Sequence, residues 1–319
     1  MSVMEKAKEL LKDYKKTLEE FIESNQASNS KKISRLLKKG DFEEAMEVLS
    51  DSFSNLVTIS NDWESHPNNI IGGRTPAEFF KEIEDNRHIV ELFNEASEII
   101  DTDLPLSFVD RMKAGGKEVQ EGLLAMLQDV SLLDDVNQDI SSQLSAIRYL
   151  GLVGTGNTTG PLLELMYKVH EDNDLVLEKI SESLVNIGPA CLDAVLEKLE
   201  SSQCIGPVEE YLMGIVSKLG SNNKSDRIYR CLKNAFMKME NKAIGALFFA
   251  KYGDGRIIPA LRGFVAKNLD TISRETYYEI KFAVEKLGGN MDDLFKEWDE
   301  DDEGYEICPD CGMHMSEHD

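Results

Sequence analysis

Four residues near the end of the chain have the types and spacing of a metal site. They are Cys308, Cys311, His314 and His318, in the run Cys-Pro-Asp-Cys-Gly-Met-His-Met-Ser-Glu-His. Thiolates and neutral imidazoles are soft donors, and C-x2-C-x2-H-x3-H spacing suits tetrahedral zinc. Four protein ligands fill the coordination sphere, so the expected zinc is structural and leaves no open position for catalysis. All four ligands fall within eleven residues, with a shorter spacer between the two pairs than a finger or ribbon has. Two other readings stay open. One is a redox Cys-x-x-Cys pair, although no strand–helix context surrounds it. The other is an acidic tail whose cysteines hold nothing: from Asp292 to Asp319 twelve acidic residues stand against one Lys.

Elsewhere the residue types that do chemistry are scattered. The chain has no Walker loop, no Gly-x-Gly-x-x-Gly after a strand and no Gly-x-Ser-x-Gly elbow. His170-Glu171 occurs once, and His66 and His88 are isolated. Cys204 lies before Ile205-Gly206-Pro207 with no His near in sequence to activate it. Cys191 and Cys231 fall in helical pattern, where a free Cys acts as a small apolar residue. Five cysteines without a framework spacing do not read as secreted disulfides. The aromatics Trp63, Phe236, Phe248, Phe249, Tyr277 and Tyr278 fall mostly at core intervals, which favours packing over a ligand cage.

The elements that carry these residues repeat. From about residue 104, an apolar helical stretch ends at a Gly and a second one follows at once. The turn glycines are Gly116, Gly154, Gly188, Gly220, Gly253 and Gly288, a period near thirty-three residues. Gly closes the first helix because its end favours a left-handed residue. Pro161, Pro189 and Pro259 are expected to open second helices, where a missing N–H costs nothing. Such pairs cannot bury their apolar faces alone, so neighbours must stack.

This pattern resembles HEAT-like repeats of the short prokaryotic, phycobilisome-lyase type. The segment Lys251-Tyr-Gly-Asp-Gly-Arg-Ile-Ile-Pro-Ala-Leu-Arg262 is similar to that family's turn and second helix. The resemblance covers about residues 104–298 and implies a right-handed α-solenoid of about six helix pairs. It also brings three enzyme classes into view. Bilin lyases share the repeat, HEAT-like DNA glycosylases grip DNA with a basic concave face that a net charge of −24 disfavours, and HEAT-type iron hydroxylases carry several His-Glu pairs where this chain has one. Cys308-Pro-Asp-Cys311-Gly resembles a zinc-ribbon knuckle, and Gly40-Asp-Phe-Glu-Glu-Ala45 resembles half a tetratricopeptide repeat.

Residues 1–100 lack the period and are expected to form a helical domain or irregular cap. Ala7, Leu10, Leu11, Tyr14, Leu18, Phe21 and Ile22 line one helix, which the polar run Asn25–Ser30 is expected to end. Phe42, Ala45, Val48, Leu49 and Phe53 line the next. Thr75-Pro-Ala-Glu78 has the form of a capping box. The full reading is therefore all-α: a helical region over 1–100, repeats over 101–298, and a metal-binding tail over 299–319.

Composition narrows the function. A hydrophobic fraction of 41% can build a core, and no apolar run is long enough to cross a bilayer. The charged, amphipathic start has no secretory core, so a cytoplasmic location is expected. A net charge of −24 disfavours nucleic acid and anionic membranes. The one basic cluster, Lys31, Lys32, Arg35, Lys38 and Lys39, reads as a solvated helix face. The expected function is a scaffold or adaptor for a protein partner with basic patches. The alternatives are a lyase or protein-modifying enzyme, and a metal- or redox-responsive regulator acting through the tail.

Overall fold

The computed structural model describes residues 1–298 apart from 101, 136 and 137. Among the described residues there are sixteen α-helices and no β-strand, as the periodicity requires. None of these helices is long and apolar enough to cross a membrane. The chain forms two compact units, Met1–Gly154 and Thr155–Asp319.

In the first unit, α1 (Val3–Leu37) and α2 (Phe42–Ser65) form a long antiparallel hairpin. Ser2 and Glu5 start α1 as a reciprocal capping box. Ala7, Leu10, Leu11, Tyr14 and Leu18 are buried, as their spacing predicts. The polar run Asn25–Ser30 does not end the helix, which continues unbroken to Leu37. Its amides find partners without breaking the backbone ladder. Asn25 Nδ2 donates to the Phe21 carbonyl at 2.8 Å, and Asn29 Nδ2 donates across the hairpin to Ser52 Oγ at 3.0 Å. Lys31, Lys32, Arg35, Lys38 and Lys39 are exposed at the hairpin tip.

The remaining helices of this unit are α3 (Pro76–Lys81), α4 (Asn86–Ile99), α5 (Leu106–Ala114), α6 (Gly116–Ala125), the single turn α7 (Val130–Leu133) and α8 (Ser141–Val153). Thr75 and Glu78 cap α3 reciprocally, as expected. Helix α4 packs on α1, α6 and α8, and α5 packs on α3 and α8. Aromatic rings fill the space between them: Phe80 lies 5.1 Å from Phe108, and Phe93 meets Tyr149 edge-on at 5.4 Å.

A carboxylate substitutes for the missing cap of α5. Pro105 precedes the helix and offers no side-chain acceptor. Buried Glu64 accepts instead from Ser107 N at 2.9 Å and from Ser107 Oγ at 3.2 Å. Burial pushes its carboxyl above the ordinary range despite these donors. A carboxyl raised in the folded state favours folding below its unfolded value and loses that contribution as pH rises through the folded value. Glu64→Ala should cost about 1–3 kcal/mol by orphaning the Ser107 N–H. Glu64→Gln keeps an acceptor, so chemical denaturation at neutral pH should find it nearly as stable as the parent.

The second unit contains α9 (Gly156–Met166), α10 (Asp174–Ile187), α11 (Leu192–Ser201), α12 (Pro207–Gly220), α13 (Asp226–Lys238), α14 (Lys242–Tyr252), α15 (Ile258–Asn268) and α16 (Arg274–Lys286). Alternate helices stack: α10 on α12, α12 on α14 and α14 on α16, with α11 on α13 alongside. Tyr252 ties one turn to the next by donating to the Ser225 carbonyl and accepting from Ser225 N, both at 3.2 Å. The segment after Gly253 is similarly joined. Asp254 receives the Arg256 guanidinium, whose other arm reaches Asp226 at 2.6 Å, and the Arg256 carbonyl accepts from Tyr229. The Arg256 pairing holds the Asp254 carboxyl below its ordinary range.

The turn positions show two different reasons for glycine. Gly116, Gly188, Gly253 and Gly288 have positive φ, whereas Gly154 has φ −72° and Gly220 is the last residue of α12. Gly220 is needed for its size: a Cβ there would lie 3.1 Å from Ile228 and 3.2 Å from the Tyr252 ring. Pro161 departs from expectation by lying inside α9, which begins five residues earlier at a Thr155 cap. Pro189 lies in a 3-10 turn ahead of α11, and Pro259 opens α15 as expected.

Candidate functional site

The first unit has a cleft of about 680 Å³ bounded by α1, α2, α5, α8 and the segment leading into α5. Its walls are apolar: Leu18 from α1, Leu56 and Val57 from α2, Leu106 and Val109 from α5, and Leu152 from α8. Val57, Leu106 and Leu152 are 59%, 54% and 41% exposed, more than a closed core leaves open. Lys113 and the Asp103–Arg148 ion pair stand at the cleft. Such a volume, lined by aliphatic groups with a few polar ones, is the size of a ligand or side-chain docking site.

Two phenols close its floor. Tyr14 donates to the Asp103 carbonyl at 3.0 Å and lies 2.9 Å from Ser60 Oγ, from which it accepts. Tyr149 accepts from Leu104 N at 2.8 Å. Burial raises both hydroxyls, that of Tyr14 to about 12. Each therefore stays protonated at neutral pH and acts as a fixed donor and acceptor rather than a general base.

An apolar track leads from the cleft along α2. Val57 lines both the cleft and a shallow groove with Met46, Leu49, Ser50 and Ser54. Phe42, Met46 and Leu49 are 40%, 65% and 38% exposed. Sequence reasoning placed Phe42 and Leu49 on a buried side of this helix. The signal it missed is arc width: apolar residues at 42, 45, 46, 48, 49, 56 and 57 cover more of the circumference than one neighbouring helix can hide.

The second unit also exposes large apolar side chains. Leu247 on α14 and Tyr278 and Phe282 on α16 are exposed, and Phe248 lies over Gly214 of α12, where a Cβ would come within 3.3 Å of its ring. The expected core role holds for Phe236, Phe249 and Tyr277, which are buried, but not for Tyr278.

The predicted metal ligands Cys308, Cys311, His314 and His318 lie outside the described residues. Among the described residues no three His, Cys, Asp or Glu side chains are grouped as a metal site. Cys191 and Cys231 are buried, and burial pushes their thiols up to about 11 and about 12. Both are therefore protonated and poor nucleophiles; Cys191 donates its S–H to the Leu184 carbonyl at 3.1 Å. Cys204 is exposed in a loop. His66 stands at the end of α2, and His170 lies 3.5 Å from Asp172 at the surface.

No family model matches the chain, and neither a curated protein nor a solved structure matches it.

Proposed function

We propose that the protein is an interaction scaffold or adaptor, whose repeats form a HEAT-like right-handed α-solenoid and hold a protein partner on an exposed helical face. The observation that carries this reading is the exposure of Leu247, Tyr278 and Phe282 on the mutually packed helices α14 and α16, with Phe248 beside α12. Large apolar side chains at the centre of a contact supply most of its binding energy.

The acid surplus supplies the attraction, and it is unevenly distributed. Residues 155–298 carry 21 acidic against 18 basic residues and are nearly neutral. Residues 299–319 carry nine acidic and no Lys or Arg, and residues 1–154 carry 29 acidic against 17 basic. A partner with basic patches is drawn mainly by the latter two regions, while the exposed side chains on the repeats give apolar contact. Cys308, Cys311, His314 and His318 are proposed to hold one structural zinc, on ligand type and spacing alone.

The test is mass spectrometry of proteins co-purifying with the tagged chain at low and high salt. A stoichiometric partner should be captured at low salt and largely lost at high salt. Leu247→Glu with Phe282→Glu should weaken capture by about 100-fold or more, at 1.4 kcal/mol or more per residue. Both side chains are exposed, so the circular dichroism spectrum should not change. A chain that carries only a small molecule and no protein would sink the scaffold reading and favour an enzyme.

A further inference from the structure

Helix α2 carries two adjacent apolar seams, and among the described residues only one of them is covered along its length. The first faces α1: Ala45 and Val48 pack with Leu36 and Ile33 as a small core of their own, and Ser52 receives Asn29. The second runs through Phe42, Met46, Leu49 and Leu56, at steps of four, three and seven. That is the 3.5-residue repeat with which one helix seats another. Phe42, Met46, Leu49 and the neighbouring Val57 are exposed along it. From Phe42 to Val57 the stripe is roughly 22 Å long.

We propose that a second copy of this chain covers this seam, the two α1–α2 hairpins lying antiparallel about a two-fold axis near Leu49 and Ser50. Charge selects the occupant. Two chains of net charge −24 repel each other unless they meet through a surface with almost no charge. The seam positions Phe42, Met46, Leu49, Leu56 and Val57 are all uncharged; Glu43, Glu44, Glu47 and Asp51 occupy other positions of the helix, and from Asp51 to Asp62 no further charge intervenes. A basic partner would gain little here.

Charge also selects the orientation. The tip carries exposed Lys31, Lys32, Arg35, Lys38 and Lys39. The Tyr14–Ser60 and Lys32–Glu44 contacts set the level of α1 against α2, and they place Glu19 and Glu20 level with residues just before Val57. Antiparallel pairing brings Phe42 of one copy level with Val57 of the other. Lys31 and Lys32 of each hairpin then lie level with Glu20 and Glu19 of its partner. Phe42 arrives at the apolar cleft, which Val57 and Leu56 share with the seam. Parallel pairing would instead set one cluster of five cations against another.

This inference does not rest on the scaffold reading, and the two fail separately. The experiment is sedimentation equilibrium of the full chain over a range of concentrations. The parent should be a dimer. Met46→Glu with Leu49→Glu should weaken it by at least tenfold while far-ultraviolet circular dichroism shows unchanged helix, since both side chains are exposed. Lys31→Glu with Lys32→Glu should also weaken the dimer, and adding Glu19→Lys with Glu20→Lys should restore it. A parent that is monomeric at every concentration overturns the proposal, even if Met46 and Leu49 capture some other protein. So does a dimer indifferent to the Met46 and Leu49 changes. A charge swap without rescue overturns the antiparallel arrangement.

Discussion

Arg111→Ala is expected to lower the unfolding free energy by roughly 3–5 kcal/mol, a large share of a typical domain's stability. Arg111 is on α5 and only 9% exposed. Its Nε donates to the Ile83 carbonyl at 2.6 Å, and Nη2 donates to the Glu84 carbonyl and to Asn86 Oδ1, both at 2.8 Å. Those acceptors belong to the connection between α3 and α4 and to the first residue of α4. One planar fork thus holds the connection onto α5. Removing it strands three acceptors and removes the packing of the stem. Lysine carries the charge but not the fork, so Arg111→Lys should recover less than half of the loss. Urea denaturation of the three proteins measures this directly. A loss below 1 kcal/mol for Arg111→Ala would show that water replaces the guanidinium at little cost.

Arg111 also shows what was not legible in the sequence. On a helix read by itself it is a surface charge, and only its distant partners, 25 to 28 residues earlier, make it a buried clamp. Glu64 is similar: nothing local announces that it caps a helix 43 residues later. Signals that act within one turn were read correctly. The Thr75–Glu78 box and the buried face from Ala7 to Leu18 depend on neighbours three or four residues away. The polar run Asn25–Ser30 misled because amides that usually compete with a helix here bond Phe21 and Ser52 instead. Pro161 misled because a Thr155 cap six residues upstream outweighs a proline as a start signal.

The helical segments were legible, but their spacing does not give the neighbours on which they pack. The pattern begins near residue 104, yet α5, α6 and α8 pack with α3 and α4 in the first unit. Within the second unit, Tyr252–Ser225 and Arg256–Asp226 join segments 27 and 30 residues apart. Of the candidate surfaces, the exposed apolar side chains were hidden by a general expectation that apolar helical positions face inward. An apolar arc too wide for one neighbour is the observable exception, and α2 has one.

The full chain, purified without chelator, is expected to hold one zinc, and Cys311→Ser is expected to hold none. Structural zinc sites bind with roughly 10–16 kcal/mol near neutral pH, so losing one of two thiolates should lower affinity by orders of magnitude. His318→Ala should weaken binding less, because water can take the fourth position. Binding requires two thiolates and two neutral imidazoles, so affinity should fall as pH drops and protons compete for all four donors. The tail's acidity creates a competing explanation: nine acidic residues in 299–319 attract any divalent cation. Carboxylates prefer calcium or magnesium, however, while thiolates and imidazoles select zinc. Zinc retained by the parent through gel filtration in excess calcium, and lost from Cys311→Ser, therefore identifies a built site. Equal loss from both proteins would leave only an acidic tail. A zinc-free parent that forms a Cys308–Cys311 disulfide on mild oxidation would move the pair to redox chemistry.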